Sequence, residues 1–451
     1  HFTDTIKAAC GLADPNAVWG MTQAAPELVH WLLKLGVKFN MSGYDDVDLR
    51  NFGGQKKKRT AFAQSDTGKQ IMTAMIDAVR RKEASGMVER FSHHSFLTLR
   101  LCDNICCGCV IRDEYSQETV ELPGDAVIVA TGGMHGLFGN TTGSLSNTGE
   151  VTAELFRLGV PLANGEMIQY HPTTVKCGGK RMLISEAARG EGGRLFAMKD
   201  GKQWYFMEEK YPELGNLMPR DITAREIWKV SHESEVFLDM TEISEEIISN
   251  KLSGLADDCM TYLHKDIRKE PVSVLPGIHY FMGGILVDEQ HRTPIQNLYA
   301  AGECCAQYHG ANRLGGNSLL GALYGGRVAA KSACEQADVV DLSCATQIDF
   351  PPASQISEIK QLNKVMQETM GVVRNENTLL NGIQTVQALT GNLPLLGMAV
   401  LKSALARKES RGAHWREDYP KSNDNDYLKT TVARFDGKQI QISFVPVPER
   451  R

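Results

Sequence analysis

The chain has 451 residues, of which 42% are hydrophobic and 23% charged, and its formal net charge is -5. That length holds more than one domain, and the composition is that of an ordinary globular protein. The acidic balance excludes a general nucleic-acid binder, which needs a basic face, and no apolar run reaches the roughly 18 residues of a membrane-spanning helix. No signal peptide is visible at His1. Eleven cysteines without regular spacing read as free thiols of a reducing compartment.

Residues 7–36 read as two helices, with Val18, Trp19, Met21, Leu28, Trp31, Leu32 and Leu35 as their apolar positions and Gly36 as a C-cap. Residues 51–58, rich in glycine and lysine, read as a loop. A third amphipathic helix starts at Thr67-Gly68, with Ile71, Ala74, Met75, Ala78 and Val79 on one face. The period then changes to two: residues 96–101 and 107–111 are strands around an Asp103-Asn104 turn. The run Ala126-Val127-Ile128-Val129-Ala130 has the look of a parallel strand buried on both faces, ending in Thr131-Gly132-Gly133. A second such strand, residues 298–301, leads to Gly302-Glu303 and a helix from about Ser318. Pro351-Pro352 marks a linker, residues 356–410 are mostly helical, and residues 430–447 form a strand pair around Asp436-Gly437.

The chemistry concentrates in five stretches. His309 to Leu319 is a glycine-rich loop carrying one arginine, Arg313, whose planar fork of donors suits a small dianion. Glu303, just before it, is placed to accept hydrogen bonds from hydroxyls. Gln169-Tyr170-His171-Pro172-Thr173, Ser185-Glu186 to Gly193, Pro219-Arg220-Asp221 and Ile278-His279 to Gly284 supply two histidines, a hydroxyl, a glutamate and two further arginines. A dicarboxylate needs several such donors, and proton transfer needs one held near the reacting carbon. Taken singly each has a bland reading: His171 a satisfied structural histidine, Arg220-Asp221 and Arg189 beside Glu191 solvated ion pairs, Ser185 a helix cap.

In order and spacing these stretches resemble the flavoprotein subunit of the fumarate reductase and succinate dehydrogenase family, as do Phe52-Gly53-Gly54-Gln55 and Ala406 to His414. The resemblance implies an α/β fold: a Rossmann-like FAD-binding domain in two parts (1–164 and 279–335), an inserted capping domain (165–278), a helical domain (356–412) and a small C-terminal domain (413–451). It implies that His171, Ser185, His279 and Arg313 hold the substrate carboxylates of fumarate or succinate. Arg220 would exchange the proton, relayed by Glu186 and Arg189. Ala130, Thr131, Gly132, Gly133, Glu150, Glu303, Asn317, Ser318 and Leu319 would contact FAD. Ser185 replaces the usual threonine, and Glu150 the usual aspartate. No metal ligands are implied: Cys102, Cys106, Cys107 and Cys109 fall on or beside predicted strands, not in ligand-bearing loops. Partners implied are an iron–sulfur subunit and, through it, a membrane anchor, with the chain cytoplasmic and peripheral on the inner face of the membrane; nucleic acid is not expected.

The sequence departs from the family in lacking the Gly-x-Gly-x-x-Gly unit for the FAD pyrophosphate, and Gly391-Asn392-Leu393-Pro394 joins segments normally further apart. The expectation is that the chain omits segments of the natural protein. Two other readings stand beside the leading one: L-aspartate oxidase on the same skeleton, and a non-catalytic assembly component whose site residues are relics.

Overall fold

The computed structural model describes all residues except 44, 45, 53, 54, 56, 65, 338, 340–347, 349, 351–354 and 451. The glycines of Phe52-Gly53-Gly54-Gln55 and the Pro351-Pro352 linker lie outside the described residues.

Helix α1 (Phe2–Ala8) ends where Cys10 and Gly11 turn to positive φ, so the first helix falls earlier than its expected place. Helix α2 (Pro15–Lys34) starts where the Asp14 carboxylate accepts from the N–H groups of Asn16 and Ala17, with Pro15 at the first turn. Its Val18, Met21, Leu28 and Leu32 are buried, while Trp19 and Trp31 stay exposed. Helix α3 (Thr67–Ala84) buries Ile71 and Ala74 against Leu32, Val37 and Phe39, and leaves Val79 outside.

Strands β1 (His94–Cys102) and β2 (Ile105–Asp113) form the expected hairpin, with both Asp103 and Asn104 left-handed at its turn. A third strand, β3 (Thr119–Pro123), adds to β2. It is largely exposed, which explains why no hydrophobic alternation announced it. Cys106, Cys107 and Cys109 lie on β2 as free thiols, and burial raises those of Cys106 and Cys109. Cys102, by contrast, is disulfide-bonded, which corrects the expectation of thiols throughout.

Strand β4 (Val127–Val129) runs parallel to a later strand in the register Leu298↔Val127, Tyr299↔Ile128, Ala300↔Val129. The sequence suggested burial on both faces, yet Ile128 is 41% exposed. On that face Ala126 and Tyr299 pack under Ala329, while Ile128 between them stays outside. Helix α4 (Glu150–Arg157) follows, then β5 (Leu162–Ala163), β6 (Ile168–Cys177) and β7 (Lys180–Leu183).

From α5 (Glu186–Gly190) to Val274 the chain builds a hydrophobic core of its own. Strands β8 (Arg194–Lys199) and β9 (Val236–Asp239) pair antiparallel, and α6 (Arg220–Val230) and α7 (Ser253–Leu263) pack on them. Ile184, Leu195, Phe206, Ile227, Leu238, Ile248 and Cys259 fill this core, all with no exposed surface.

Strand β10 (Leu275–Phe281) returns beside β6, and β11 (Gly284–Leu286) beside β5. Strand β12 (Leu298–Ala300) is fully buried and precedes α8 (Asn317–Gln336), as the sequence indicated. Helices α9 (Ile356–Thr369), α10 (Glu376–Val386) and α11 (Asn392–Ala406) share one core with Met134, Phe138, Phe156, Ile168 and Phe281. Strands β13 (Lys429–Phe435) and β14 (Ile440–Pro446) close the chain as a hairpin. A buried ionic knot fixes that end: Arg407, with no exposed surface, reaches Glu166 at 2.7 Å and Glu409 at 2.7 Å, and Arg411 shares that Glu409 oxygen at 2.8 Å and holds the other at 2.9 Å.

Candidate active site

Strands β6 and β10 hold the first half of the site. They pair with Ile278 opposite Tyr170 but Tyr280 opposite Gln169, so His279 is an extra residue in a bulge. A bulge re-aims a side chain. Here it brings the His279 ring to 5.2 Å from the His171 ring, edge to face. Both imidazoles are held well below their ordinary pKa, first by burial and then by neighbouring charge, chiefly Arg220 for His171 and His171 itself for His279. They are therefore neutral near pH 7 and each keeps one N–H to donate. Nδ1 of His279 is 2.8 Å from the Thr142 hydroxyl, and Nδ1 of His171 lies 3.1 Å from the Thr173 carbonyl and 3.3 Å from its N–H.

Ser185 caps α5: its hydroxyl oxygen accepts from the Ala187 N–H at 3.2 Å, which leaves its own O–H free to donate. The cap reading and the binding reading are compatible. Glu186 and Arg189 then lie one turn apart on α5, both 2% exposed. Arg220, the first residue of α6, donates through Nε and Nη2 to Glu186 Oε2 at 2.9 and 2.6 Å. Arg189 Nη2 stands 3.5 Å from the other Glu186 oxygen. Neither arginine makes the local pair its neighbours suggested. Glu191 pairs instead with Lys251 at 3.2 Å, and Asp221 accepts from Asn312 at 2.9 Å.

The loop from His309 to Gly316 brings in Arg313. Gly310 (φ +51) runs so close to α1 that a Cβ there would stand 2.6 Å from the Ala9 carbonyl. Arg313 is 3% exposed, stacks 4.4 Å above the Tyr280 ring, and its Nε finds no acceptor among the described residues. Burial, then Arg220, push its guanidinium down to about 9, which still leaves it charged at neutral pH. Tyr280, Glu303 and Glu186 pull the other way. Gln55 braces the loop by donating to the Gly315 carbonyl at 3.0 Å.

His171, Ser185, Glu186, Arg220, His279 and Arg313 line one cavity of about 290 Å³, together with Asn317, Ser318 and Leu319 from the first turn of α8. That size is at the small end of ligand pockets. Arg189 stands behind Glu186, with no side-chain surface exposed. The sequence reading missed Arg50, which lines the same cavity over the Phe62 ring at 4.3 Å. Two of its guanidinium nitrogens lack hydrogen-bond partners among the described residues, and burial lowers it to about 10. It also passed over the bridging roles of Gln169 and Asn312.

The expected flavin contacts divide. Glu303 sits against Gly133, where a Cβ would meet its carboxyl oxygen at 2.7 Å, and it accepts from the Phe281 N–H at 3.0 Å. Ala130, Thr131 and Gly132 lie at the open end of β4. Glu150 is apart from these: it is exposed at the start of α4, with Glu114 and Arg112 as charged neighbours. The Arg313 Nε without an acceptor among the described residues, the α8 start with no side-chain cap and the close Gly133–Glu303 approach fit a flat, polar heterocycle next to a small anion.

Comparison with known proteins gives the family. The FAD binding domain family matches residues 1–319, and the fumarate reductase flavoprotein C-terminal family matches residues 389–450. The succinate dehydrogenase flavoprotein subunit of Bacillus subtilis (strain 168) is 35% identical over 515 aligned positions, covering all of this chain and 88% of the relative.

The chain belongs to the succinate dehydrogenase and fumarate reductase flavoprotein family.

It is thus an FAD-dependent oxidoreductase, with the α/β fold expected of that family. The flavoprotein of Escherichia coli quinol fumarate reductase superposes with a TM-score of 0.89 at 26% identity, over 99% of this chain and 86% of that one. An L-aspartate oxidase from Pyrococcus furiosus is 33% identical over 445 positions, covering 96% of this chain and 86% of the relative. The alignment with the Bacillus relative is longer than the 451 residues of the chain, so that relative has internal stretches with no counterpart here.

Proposed function

We propose that this chain is a catalytic flavoprotein subunit that interconverts fumarate and succinate. The observation that carries the reading is the line Arg220–Glu186–Arg189, which ends in a cavity where Arg313, His171, Ser185 and His279 converge. Arg313 and the three neutral donors bind and orient the two carboxylates, a dianion that offsets the cations the cavity buries. Glu303, Asn317, Ser318, Leu319 and the Ala130–Gly133 turn would hold FAD, which would supply the hydride chemistry. Arg220 gives a proton to the carbon opposite the hydride for reduction, or takes it for oxidation.

A free arginine keeps its proton up to about pH 12, so an acid role needs special surroundings. Arg313 supplies a second cation nearby, Arg220, Arg313, Glu186 and Arg189 are all buried, and the Glu186 carboxylate sits 2.6 Å away to pass a proton on from Arg189. One site must stabilise one transition state in both directions, so direction rests with the flavin potential and the electron partner.

The proposed layout is a capping domain of residues 165–278 with its own core, lowered over an FAD-binding domain of 1–164 and 279–335. Residues 356–412 and 413–451 would form the helical and C-terminal domains. An iron–sulfur subunit and a membrane anchor are the proposed partners, with the chain peripheral on the cytoplasmic face. No helix among the described residues is long and apolar enough to cross a membrane.

The test is anaerobic. The flavin-loaded protein is reduced, then given fumarate. Return of the flavin band supports the reading; a band that fumarate leaves bleached overturns it. Bleaching of the oxidised flavin by aspartate, with no response to succinate, would move the assignment to L-aspartate oxidase. Arg220→Ala should keep the bound flavin and lose at least 10²- to 10⁴-fold in fumarate turnover. Unchanged turnover would remove Arg220 from the chemistry.

A further inference from the structure

Four side chains, Arg220 among them, form a run of hydrogen bonds that the backbone closes into a ring. Arg220 Nη1 donates to Gln169 Oε1 at 3.1 Å. Gln169 Nε2 donates to Asn312 Oδ1 at 2.9 Å and also to the Arg313 carbonyl at 2.9 Å. Asn312 Nδ2 donates to Asp221 Oδ1 at 2.9 Å. Asp221 follows Arg220 in the chain, which completes the circuit. Gln169 has no exposed surface, and Asn312 is 4% exposed.

The polarity of this ring is forced. A guanidinium only donates, so the Gln169 oxygen must face Arg220 and its NH₂ must face Asn312. Asn312 then accepts with its oxygen and donates with its nitrogen. The circuit can end only on an acceptor, and a carboxylate is one that never donates. This fixes both amide orientations, which heavy-atom positions alone leave open. It also gives Asp221 work that no ion pair with its neighbour would: Arg220 is committed to Glu186 and Gln169, not to Asp221.

The ring joins two separate pieces of the site. Arg220 and Asp221 belong to α6, on the core of residues 184–274; Asn312 and Arg313 belong to the loop before α8. Two like charges, Arg220 and Arg313, face the same cavity from these two pieces and repel. Something must hold them in register, because the proton must arrive on the carbon that the Arg313 grip presents.

We propose that Asp221 is a positioning residue: through Asn312 and Gln169 it fixes the aim of Arg220 relative to Arg313. The inference rests on the functional reading above. A misplacement of about 1 Å at a reacting group costs on the order of 10²-fold. Asp221→Ala in the flavin-loaded enzyme is therefore expected to lower kcat for fumarate about 10- to 100-fold. KM should move less than about threefold, since Arg313, His171 and His279 keep their places.

Asn312→Asp should be equally damaging, because it sets a carboxylate against the Asp221 carboxylate. The double exchange Asp221→Asn with Asn312→Asp should recover most of the rate. An acid at position 312 accepts from Gln169 with one oxygen and from the amide at 221 with the other. Recovery is something a merely structural contact would not show in kcat, and it carries the test even where Asp221→Ala fails to fold. The proposal is overturned by Asp221→Ala with kcat within twofold of the unsubstituted enzyme, or by an exchange whose loss is the product of the two single losses. An unsubstituted enzyme that ignores fumarate would instead overturn the functional reading.

Discussion

Replacing Arg407 by Met tests what holds the C-terminal hairpin. The guanidinium reaches Glu166 and Glu409 at 2.7 Å each, the carbonyls of Tyr427 and Lys429 at 2.8 and 2.7 Å, and the Thr431 hydroxyl at 2.7 Å. Its loss is unequal for its two acids. Glu409 keeps Arg411, at 2.8 and 2.9 Å, and the Asn423 N–H at 2.8 Å. Among the described residues Glu166 keeps the Thr431 hydroxyl, at 2.6 Å, on one oxygen and the Arg374 charge at longer range, while its other oxygen has no hydrogen-bond partner. A fully buried charge is thus stranded, which costs about 3–5 kcal/mol. That is a large part of the roughly 5–15 kcal/mol that holds a domain together. Thermal unfolding followed by circular dichroism should shift down by on the order of 10 °C. Limited proteolysis should cut first between 424 and 446. Adding Glu166→Gln to the Arg407→Met variant should restore at least half of the loss, because the stranded charge is gone. A single variant melting within about 2 °C of the parent, or a double variant whose losses simply add, would refute the reasoning.

Other outcomes follow from the same geometry. Burial keeps His171, His279, His309 and His414 below their ordinary pKa of 6.5, His309 down to about 3. The unfolded chain takes up protons first as pH falls, so stability drops below about pH 6.5 by roughly 1.4 kcal/mol per unit for each histidine. For His309 the loss continues to about pH 3, and His309→Asn should flatten the slope of melting temperature against pH. Gly412 has φ +54, and a Cβ there would lie 2.5 Å from the Ala311 carbonyl. Gly412→Ala should cost about 2 kcal/mol and raise the fumarate KM by pushing the Arg313 loop; an unchanged KM would show the loop is not braced there. Arg313→Lys exchanges a planar fork for a point charge and should lower kcat/KM about 10²-fold in steady-state assays.

Much of this was readable from residue order. β12 stood out because it is short, apolar and followed by Gly302-Glu303, and β13–β14 because Asp436-Gly437 sits between two β-rich runs. The clusters around His171, Ser185, Arg220, His279 and Arg313 were visible as sets of donors, and the fold brings all five to one cavity. What the sequence hid depends on contacts between distant segments. The bulge that aims His279 exists only in the pairing of β10 with β6. Arg50 drew no reading, because the rings it packs on, Phe52 and Phe62, stand on opposite sides of a loop. Strand β3 gave no signal because its side chains face water, and the uncovered Ile128 broke a pattern that normally means double burial.

The parallel pairing of β4 with β12 sets an order of assembly. Val127 and Leu298 are neighbours in space, yet the whole self-contained core of residues 184–274 lies between them in the chain. Closing that loop costs less entropy once the intervening unit is compact, by roughly 0.6 kcal/mol for each halving of its effective length. The intervening unit can collapse on its own apolar centre, so it matures first and carries the two strands together. The platform that carries Glu303 is then among the last parts to form, and a chain halted midway would be compact yet unable to grip a flavin.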